Sequence, residues 1–446
     1  MSQSSSQASL VQDQASLQLL GARLSPGKQT CPAPALPEDN EANDEAVIQQ
    51  IERTVKTAET VLTSNSKRRI ALVAVSIAGS ALDQAASSDS SADAAGTSNA
   101  SEEASKHLDT ILQARDFSEP QALSFSGYLR KVEQLPENIR RIQEGEVIQA
   151  FQGSVDDWRL INLAASASTE VYKDLREVAA SWKMEPSELS NLKSATISVA
   201  EFEGRRTLVV SVRGSTAARR DWMVNANGRP MASRKLLDGS TTWHRGFLAV
   251  AEAMQKTIAS EIVNLKQSGE PAAGTQELLF TGHSAGGAVA QLFYAMCASP
   301  EHNLSGILAG FSKVHCITFG CPPVSTRTIT RADSGVFQGG LFLNIINEGD
   351  PVPLCQEDYI KSLLDIYVKD PEELVAEGFR VPAAKYRVSG QCIVLQDSDP
   401  DDTDAVGWKA VVVDGTQMES KLFGNPFLHQ MKYYNAVITA LAADVR

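Results

Sequence analysis

Residues 277–296 read ELLFTGHSAGGAVAQLFYAM, and they decide the predicted fold. The first five residues have the length and apolar character of a buried strand, and the last twelve have the pattern of a buried helix. Between them, residues 282–286 match G-x-S-x-G, a strand–turn–helix elbow that holds a serine in a strained conformation. The match occurs once in the chain, and its setting predicts Ser284 as a nucleophile at the carboxyl edge of a sheet.

The elbow itself is formed around the serine by Gly282, His283, Gly286 and Gly287. Glycine is expected there because the strand and the helix approach more closely than a Cβ atom permits. Ala285 opens the helix, so its backbone N–H faces an oxyanion formed at the serine. A second oxyanion donor is expected from Ser215, which follows the β-branched run 207–212 and the turn-forming Gly214.

Strand and helix patterns alternate on both sides of the elbow. Further strands are predicted at 207–212, 313–319, 341–347, 386–396 and 406–413. Helices are predicted at 247–265, at 285–296 and from an apolar stripe formed by Val171, Leu175, Val178 and Trp182. This alternation indicates an α/β fold, with a mainly parallel sheet flanked by helices.

Composition divides the 446 residues into three parts. Residues 1–40 are rich in Ser, Gln and Pro and are predicted to be a disordered tail. Residues 41–150 are predicted to form a helical extension with a Ser/Ala-rich linker at 85–106, and the strand–helix alternation occupies 151–446. The net charge of −13 argues against nucleic-acid binding, which needs a basic face.

A serine nucleophile needs a base, and in elbows of this kind the chain order is serine, acid, histidine. The histidines that follow Ser284 are His302, His315 and His429. His302 stands too close to the helix after the serine to reach back, and His315 lies inside a predicted strand. This elimination leaves His429, which follows a Gly-Asn-Pro loop, as the predicted base.

The acid is expected between the serine and this histidine. Asp350 follows the predicted strand 341–347, so it stands at the same sheet edge as the elbow. There a carboxylate accepts the imidazole Nδ1–H and fixes the tautomer. Glu348 is a competitor at the same strand end, and Asp333 is a weaker one.

Six blocks in this order resemble the class 3 lipase family, of the fungal triacylglycerol lipase type. They are VRGS with Asp221-Trp222, HRGF, TGHSAGG, TFGCPPV, NEGDPVP and His429. The resemblance covers residues 155–446, roughly, and implies an α/β-hydrolase fold, a triad of Ser284, Asp350 and His429, and oxyanion donors at Ser215 and Ala285. It also implies a mobile lid after Ser215, with substrate or lid contacts at Trp222, Pro323, Val324 and Phe427. Many members have leucine in place of Ala285, a difference that bears on packing.

The expected function is a carboxylic ester hydrolase that acts on acylglycerol-type lipids through an acyl-enzyme intermediate, with no metal and no cofactor. Phospholipase A1 and feruloyl-type esterase activities stay open, because the acyl pocket cannot be built from sequence. The alternative from another class is a catalytically silent, lipase-like interaction module whose extension binds a partner. The intact triad and oxyanion residues weigh against that alternative.

The predicted lid region is basic, with seven basic and two acidic residues from Arg213 to Arg245. Such a patch, with Trp222 among its apolar residues, suits transient contact with an anionic lipid surface, although the arginines equally suit pairing with the protein's own carboxylates. No segment has the roughly 20 apolar residues of a membrane span. Without a secretory signal pattern, a cytoplasmic location with reduced cysteines is expected, with unconventional secretion left open and any protein partner of residues 1–150 unknown.

Overall fold

The computed structural model describes residues 128–444 except 187–191, 203, 216–229, 234, 238, 269–275, 370 and 398–406. The predictions for the tail 1–40, for the linker 85–106, for the rest of the extension up to residue 127 and for Trp222 lie outside the described residues. Among the helices of the described part, none combines the length and the apolar character that crossing a bilayer requires.

Two sheets occur in the described part. Their strands, in chain order, are β1 (Val147–Ala150), β2 (Trp182–Met184), β3 (Ala195–Phe202), β4 (Arg205–Val212), β5 (Pro230–Ala232), β6 (Thr242–His244), β7 (Gln276–His283), β8 (Lys313–Phe319), β9 (Phe342–Asn347), β10 (Gln391–Asp397) and β11 (Trp408–Val413). Nine of them form one sheet in the order β1-β11-β10-β9-β8-β7-β4-β3-β2, and β5 pairs with β6.

The centre of the large sheet is parallel. Strands β4, β7, β8, β9 and β10 run in one direction, and antiparallel strands flank them on both sides. The register aligns Gly282 at the end of β7 with Val212 of β4 and with Thr318 of β8. The loops that follow these strands therefore meet at one edge, and the predicted mainly parallel sheet is confirmed.

Helices cover both faces of this sheet. They are α1 (Glu137–Arg140), α2 (Val155–Glu170), α3 (Arg245–Ser268), α4 (Ala285–Cys297), α5 (Glu357–Val368), α6 (Pro371–Ala376), α7 (Gly415–Met418) and α8 (Met431–Asp444). On β7, Leu278 and Phe280 belong to the apolar core that contains α3 and α4, whereas Leu279 belongs to the core that contains α2 and α8. Because successive strand side chains point to opposite faces, one strand serves both layers.

The helix predicted from Val171, Leu175, Val178 and Trp182 is wrong. Helix α2 ends at Glu170, the first three of these residues lie in turns, and Trp182 is in β2. The three turn residues pack together as a small buried cluster of their own. Tight turns here produce the same three- and four-residue spacing of apolar side chains as a helix does. The spacing alone therefore cannot distinguish the two structures.

Residues 128–150 were assigned to the extension, yet they form part of the sheet and its core. Strand β1 pairs antiparallel with β11 at one edge of the sheet. Tyr128, Leu129 and Val132 lie in the same buried cluster as Phe423. The same cluster contains Ile346 of β9 and Val394 of β10, so the folded unit begins before residue 151.

Four of the five described thiols are buried, Cys355 is half-buried, and none of the five is in a disulfide. The free cysteines of the described part are Cys297, Cys316, Cys321, Cys355 and Cys392. Burial raises the pKa of all five thiols, so they stay protonated at neutral pH. Each therefore acts as an apolar packing residue.

Candidate active site

Ser284 stands in a strained turn between β7 and α4. Its backbone has φ 59° and ψ −135°, outside the regions that a non-glycine residue normally occupies. A Cβ on Gly282 would lie 2.6 Å from the carbonyl carbon of Gly286, and a Cβ on Gly286 would lie 2.1 Å from the carbonyl oxygen of Val212. Glycine is therefore required at both positions, since the opposing atoms are backbone and cannot move aside cheaply.

His429 and Asp350 form a buried pair at the same edge. His429 Nδ1 lies 2.9 Å from Asp350 Oδ2, and the two side chains are 3% and 0% exposed. The pair lies against Gly320, at the end of β8, where an added Cβ would fall 2.7 Å from Asp350 Oδ2 and 2.9 Å from His429 Nδ1. The backbone N–H of Ser284 donates to the carbonyl of Phe319, at 2.9 Å. The serine and the Asp350–His429 pair therefore contact two adjacent residues, Phe319 and Gly320.

A second contact joins the histidine to the elbow. The carbonyl of His429 lies 2.6 Å from His283 Nε2, and the centroids of the two imidazole rings lie 4.4 Å apart with the ring planes tilted by 32°. Ser284 and His429, both among the described residues, share no hydrogen bond with each other. His429 thus lies beside His283, the residue that precedes the serine.

Tyr434, on α8, is a site residue that the sequence did not reveal. Its buried hydroxyl donates to Asp350 Oδ2 at 2.6 Å and accepts from the N–H of Asn347 at 3.1 Å. Burial, and next the charge of Asp350, raise the pKa of Tyr434 well above its usual value, so the phenol stays a donor. The other carboxylate oxygen accepts from the N–H of Val352 at 2.9 Å. Asp350 is therefore held by three donors, one of them His429.

The competing acids are engaged elsewhere. Glu348 Oε1 accepts from the N–H of Ile142 at 2.8 Å and from Gln396 Nε2 at 2.7 Å. Asp333 is 88% exposed and forms an ion pair with Arg331 at 3.7 Å. Neither carboxylate reaches His429, so the geometry favours Asp350.

The two other candidate histidines also have separate partners. His302 Nδ1 lies 3.2 Å from Gln255 Oε1. His315 Nδ1 accepts from the N–H of Leu341 at 3.0 Å, and its Nε2 faces Glu277 Oε2 at 3.6 Å. The first lies just beyond α4, and the second lies near the amino end of β8, away from the loop edge where Ser284 stands.

His283 is fixed as a neutral tautomer. A carbonyl oxygen only accepts, so Nε2 carries the proton toward His429, and Nδ1 accepts from the Tyr172 hydroxyl at 3.0 Å. Burial, and next the proximity of His429, lower the pKa of His283 well below its usual value. Tyr172 is a second residue that sequence reasoning missed, since no motif surrounds it.

The expected oxyanion donors stand next to the serine. A Cβ on Gly214 would lie 3.1 Å from Ser284 Cβ and 2.7 Å from the carbonyl oxygen of His283. Ser215, the next residue, is half-buried. Ala285 is the first residue of α4, where N–H groups have no partner within the helix and carry the positive end of its dipole. Both N–H groups therefore belong to segments that border the hydroxyl.

The predicted substrate residues are only partly described. Pro323 and Val324 are buried, and the carbonyl of Val324 accepts from the N–H of His244 at 2.8 Å. Pro323 also lies in a closely packed surface patch with Pro353, Leu354, Gln356, Tyr359, Pro382, Ala384, Tyr386, Val388 and Glu419. Phe427 is half-buried and packs on the core cluster beside β10 and β11. Of the predicted basic lid segment, residues 216–229, 234 and 238 lie outside the described part.

Possible metal ligands are scattered among the described residues. Within that part of the chain, no three His, Cys, Asp or Glu side chains stand close enough together to hold an ion.

One protein family is similar to part of this chain. Residues 209–359 match the model of the class 3 lipases. This segment, roughly a third of the chain, contains Ser284, Asp350 and Pro323 and ends before His429. No curated protein sequence matches the chain. The resemblance seen in the sequence is confirmed over the matched residues.

Solved fungal lipases are also similar in structure. A triacylglycerol lipase from Penicillium expansum is 16% identical, with a TM-score of 0.40, and the match covers 62% of this chain and 90% of that one. The lipase from Rhizopus microsporus var. chinensis is 16% identical, with a TM-score of 0.43 and coverage of 66% and 92%. The Rhizomucor miehei lipase propeptide complex is 15% identical, with a TM-score of 0.40 and coverage of 68% and 91%.

These low identities and TM-scores carry no assignment by themselves. The assignment comes from the family model, which covers the elbow, and from the parallel sheet with helices on both faces. Residues 209–359 therefore resemble the class 3 lipases, the chain has the α/β-hydrolase fold, and it is a serine ester hydrolase.

Proposed function

We propose that this enzyme hydrolyses carboxylic esters of acylglycerol-type lipids, with Ser284 as the nucleophile, His429 as the base and Asp350 as the acid that orients it. The observation that carries the proposal is the buried contact between His429 Nδ1 and Asp350 Oδ2, at 2.9 Å, beside a serine with a positive φ. A strained serine next to an oriented imidazole is the arrangement that acyl transfer requires.

The proton begins on the serine hydroxyl. Asp350 accepts the Nδ1–H of His429, which leaves Nε2 unprotonated and able to take the proton of Ser284 as its oxygen attacks the acyl carbonyl. Serine and histidine share no hydrogen bond in the described structure. Such bonds are often long in an unliganded enzyme and shorten when substrate binds.

The negative charge then develops on the carbonyl oxygen. The N–H groups of Ser215 and Ala285 border the serine and are the proposed donors to this oxyanion. His429 returns its proton to the leaving alcohol, an acyl group stays on Ser284, and water repeats the same steps to release the acid. No metal or cofactor takes part in this sequence.

The acylglycerol preference is proposed from the similarity of residues 209–359 to the class 3 lipases. Hydrolysis of a triacylglycerol, a phosphatidylcholine and a feruloyl ester should be measured side by side. The proposal expects the highest kcat/KM with the triacylglycerol, and a higher value with either of the others would replace it with that activity.

A fluorophosphonate probe tests the nucleophile directly. The probe should label Ser284 in the wild type, as mapped by peptide mass spectrometry, and labelling should disappear in Ser284→Ala. The Ser284→Ala variant should also lose hydrolysis by about 10⁴-fold or more. A folded wild type that the probe does not label would favour the silent interaction module instead.

We also propose that the basic lid segment, Arg213 to Arg245, contacts anionic lipid during catalysis. Seven basic residues there stand against two acidic ones in a chain of net charge −13. Binding to vesicles that contain phosphatidylglycerol should exceed binding to pure phosphatidylcholine vesicles and should weaken with added salt. Equal binding to both vesicle types would contradict this contact.

A further inference from the structure

Residues 138–146, called here the N-terminal brace, lie before the family match and bind both loops that carry the proposed base and acid. The brace consists of most of α1 and the turn that leads into β1. The first loop, residues 347–352, follows β9 and carries Asp350. The second, residues 421–429, follows α7 and ends at His429.

The first loop is bound through Glu348. Its Oε1 accepts from the N–H of Ile142 in the brace at 2.8 Å, and its Oε2 lies 3.6 Å from Arg141 Nε. The same Oε1 accepts from Gln396 Nε2 at 2.7 Å, and the Glu348 side chain is only 9% exposed. Glu348 stands two residues before Asp350, so the brace fixes the start of the loop that carries the acid.

The second loop is bound through Lys421. Its side chain is 1% exposed, and its ammonium donates to the carbonyl of Asn138 at 2.8 Å and to Glu146 Oε1 at 2.7 Å. The next residue, Leu422, donates its backbone N–H to the carbonyl of Ile139 at 2.8 Å. A buried lysine is costly unless it is fully paired, and here every described partner of its ammonium comes from the brace.

The two loops are also bound to each other around the proposed acid. The N–H of Asn425 donates to the carbonyl of Gly349 at 2.9 Å, and Asn347 Nδ2 donates to the carbonyl of Leu428 at 2.9 Å. A Cβ on Gly349 would lie 2.8 Å from Leu428 Cδ1, so the contact is close. A shift of either loop is therefore passed to the other.

We propose that the N-terminal brace is a positioning element, which holds Asp350 and His429 in the geometry that lets the imidazole serve Ser284. The brace touches none of the three side chains, so it acts through the loops. This inference rests on the proposed function of the triad. A displacement of about 1 Å in a catalytic group lowers the rate by as much as 10²-fold, so loss of the brace should lower kcat strongly.

Two variants remove the brace contacts, one at each loop. Glu348→Ala removes the acceptor for Ile142, and Lys421→Met removes the buried ammonium while keeping most of its stem and leaving the quarter-exposed Glu146 free to hydrate. If one variant does not fold, the other still decides. Glu348→Gln is the matched rescue, because its amide oxygen accepts from Ile142 and Gln396 as the carboxylate does.

Ser154→Ala serves as the stability control. Ser154 caps α2 and accepts from the N–H of Asp157 at 3.2 Å, away from both loops, so its loss lowers the melting temperature without moving the triad. Kinetics should be measured with a short soluble ester, at a temperature where near-UV circular dichroism shows every variant folded.

The proposal expects kcat to fall about tenfold or more in Glu348→Ala and Lys421→Met, with KM changed less than about threefold. Glu348→Gln should recover kcat to within about twofold, and Ser154→Ala should keep it. Folded variants with wild-type kcat would overturn the brace, as would an equal loss in Ser154→Ala. If the wild type itself neither hydrolyses esters nor reacts at Ser284 with the fluorophosphonate, the proposed function fails instead.

Discussion

Replacing Tyr434 with phenylalanine removes a hydroxyl that makes two buried hydrogen bonds. The hydroxyl donates to Asp350 Oδ2 at 2.6 Å and accepts from the N–H of Asn347 at 3.1 Å, and the side chain is 0% exposed. No water reaches a group buried to this extent, so the variant leaves one N–H without an acceptor and removes one donor from a buried carboxylate.

The stability cost follows from these two losses. A hydrogen bond to a charged group contributes about 1.5–3 kcal/mol, and an unsatisfied buried N–H costs about 1–3 kcal/mol. The losses overlap, so Tyr434→Phe should lower the free energy of unfolding by about 3 kcal/mol. For a domain of this size about 1 kcal/mol corresponds to about 2 °C, which predicts a fall of about 6 °C in melting temperature.

The effect on catalysis should be smaller than that on stability. Tyr434 and His429 donate to the same oxygen of Asp350, so loss of the phenol leaves the carboxylate charge available to His429. We expect kcat within about tenfold of the wild type, against about 10⁴-fold when the tautomer itself is lost. Tyr433→Phe, one residue away on the same helix and only half-buried, is the matched control and should change neither quantity.

Differential scanning fluorimetry and ester hydrolysis by the same protein samples measure both quantities. The reasoning is refuted if Tyr434→Phe melts at the wild-type temperature, or if Tyr433→Phe costs as much. A loss of kcat equal to that of the acid itself would mean that the phenol is part of the proton relay.

Three further predictions concern the elbow, the acid and the buried imidazole. Gly286→Ala should destabilise the fold by about 3 kcal/mol in urea unfolding, because its Cβ would lie 2.1 Å from the carbonyl of Val212; an unchanged midpoint would contradict the elbow geometry. Asp350→Asn should lower kcat/KM by about 10⁴-fold while Asp333→Asn keeps it, and the reverse order would move the acid. The pKa of His283 is lowered in the fold, so below about pH 6.5 the unfolded chain binds a proton that the folded chain does not. As the pH falls through that range, protonation of His283 should lower the free energy of unfolding of the wild type by up to about 1.4 kcal/mol per pH unit. In His283→Gln the free energy of unfolding should depend less on pH, as measured by urea unfolding between pH 5 and 7. The same pH dependence in the wild type and the variant would show that the ring takes up a proton in the fold.

The parts of the site that the sequence predicted are those with local patterns. The run through Ser284 joins a strand, glycines and a helix in consecutive residues, so strand β7 and helix α4 were expected within two residues of their observed ends. Asp350 was reached through its position at the end of a strand, and His429 through the small number of histidines in the chain.

The missed residues reach the site only through tertiary contacts. Tyr434 meets Asp350 across 84 residues of sequence, and Tyr172 meets His283 across 111. A tyrosine on an amphipathic helix has the same pattern whether its hydroxyl meets a carboxylate or solvent. The same reason explains residues 128–150, whose short elements resemble a helical extension and whose strand β1 pairs with β11, far along the chain.

The central claim is that Ser284 and His429 act as one unit, and the direct measurement is whether their losses add. Hydrolysis of a short ester should be compared for Ser284→Ala, His429→Ala and the double variant, each shown to be folded. The account predicts that the double variant is no slower than Ser284→Ala, since removing one member already disables the relay. Losses that multiply in the double variant would mean that the two side chains act independently, and the proposed mechanism would be wrong.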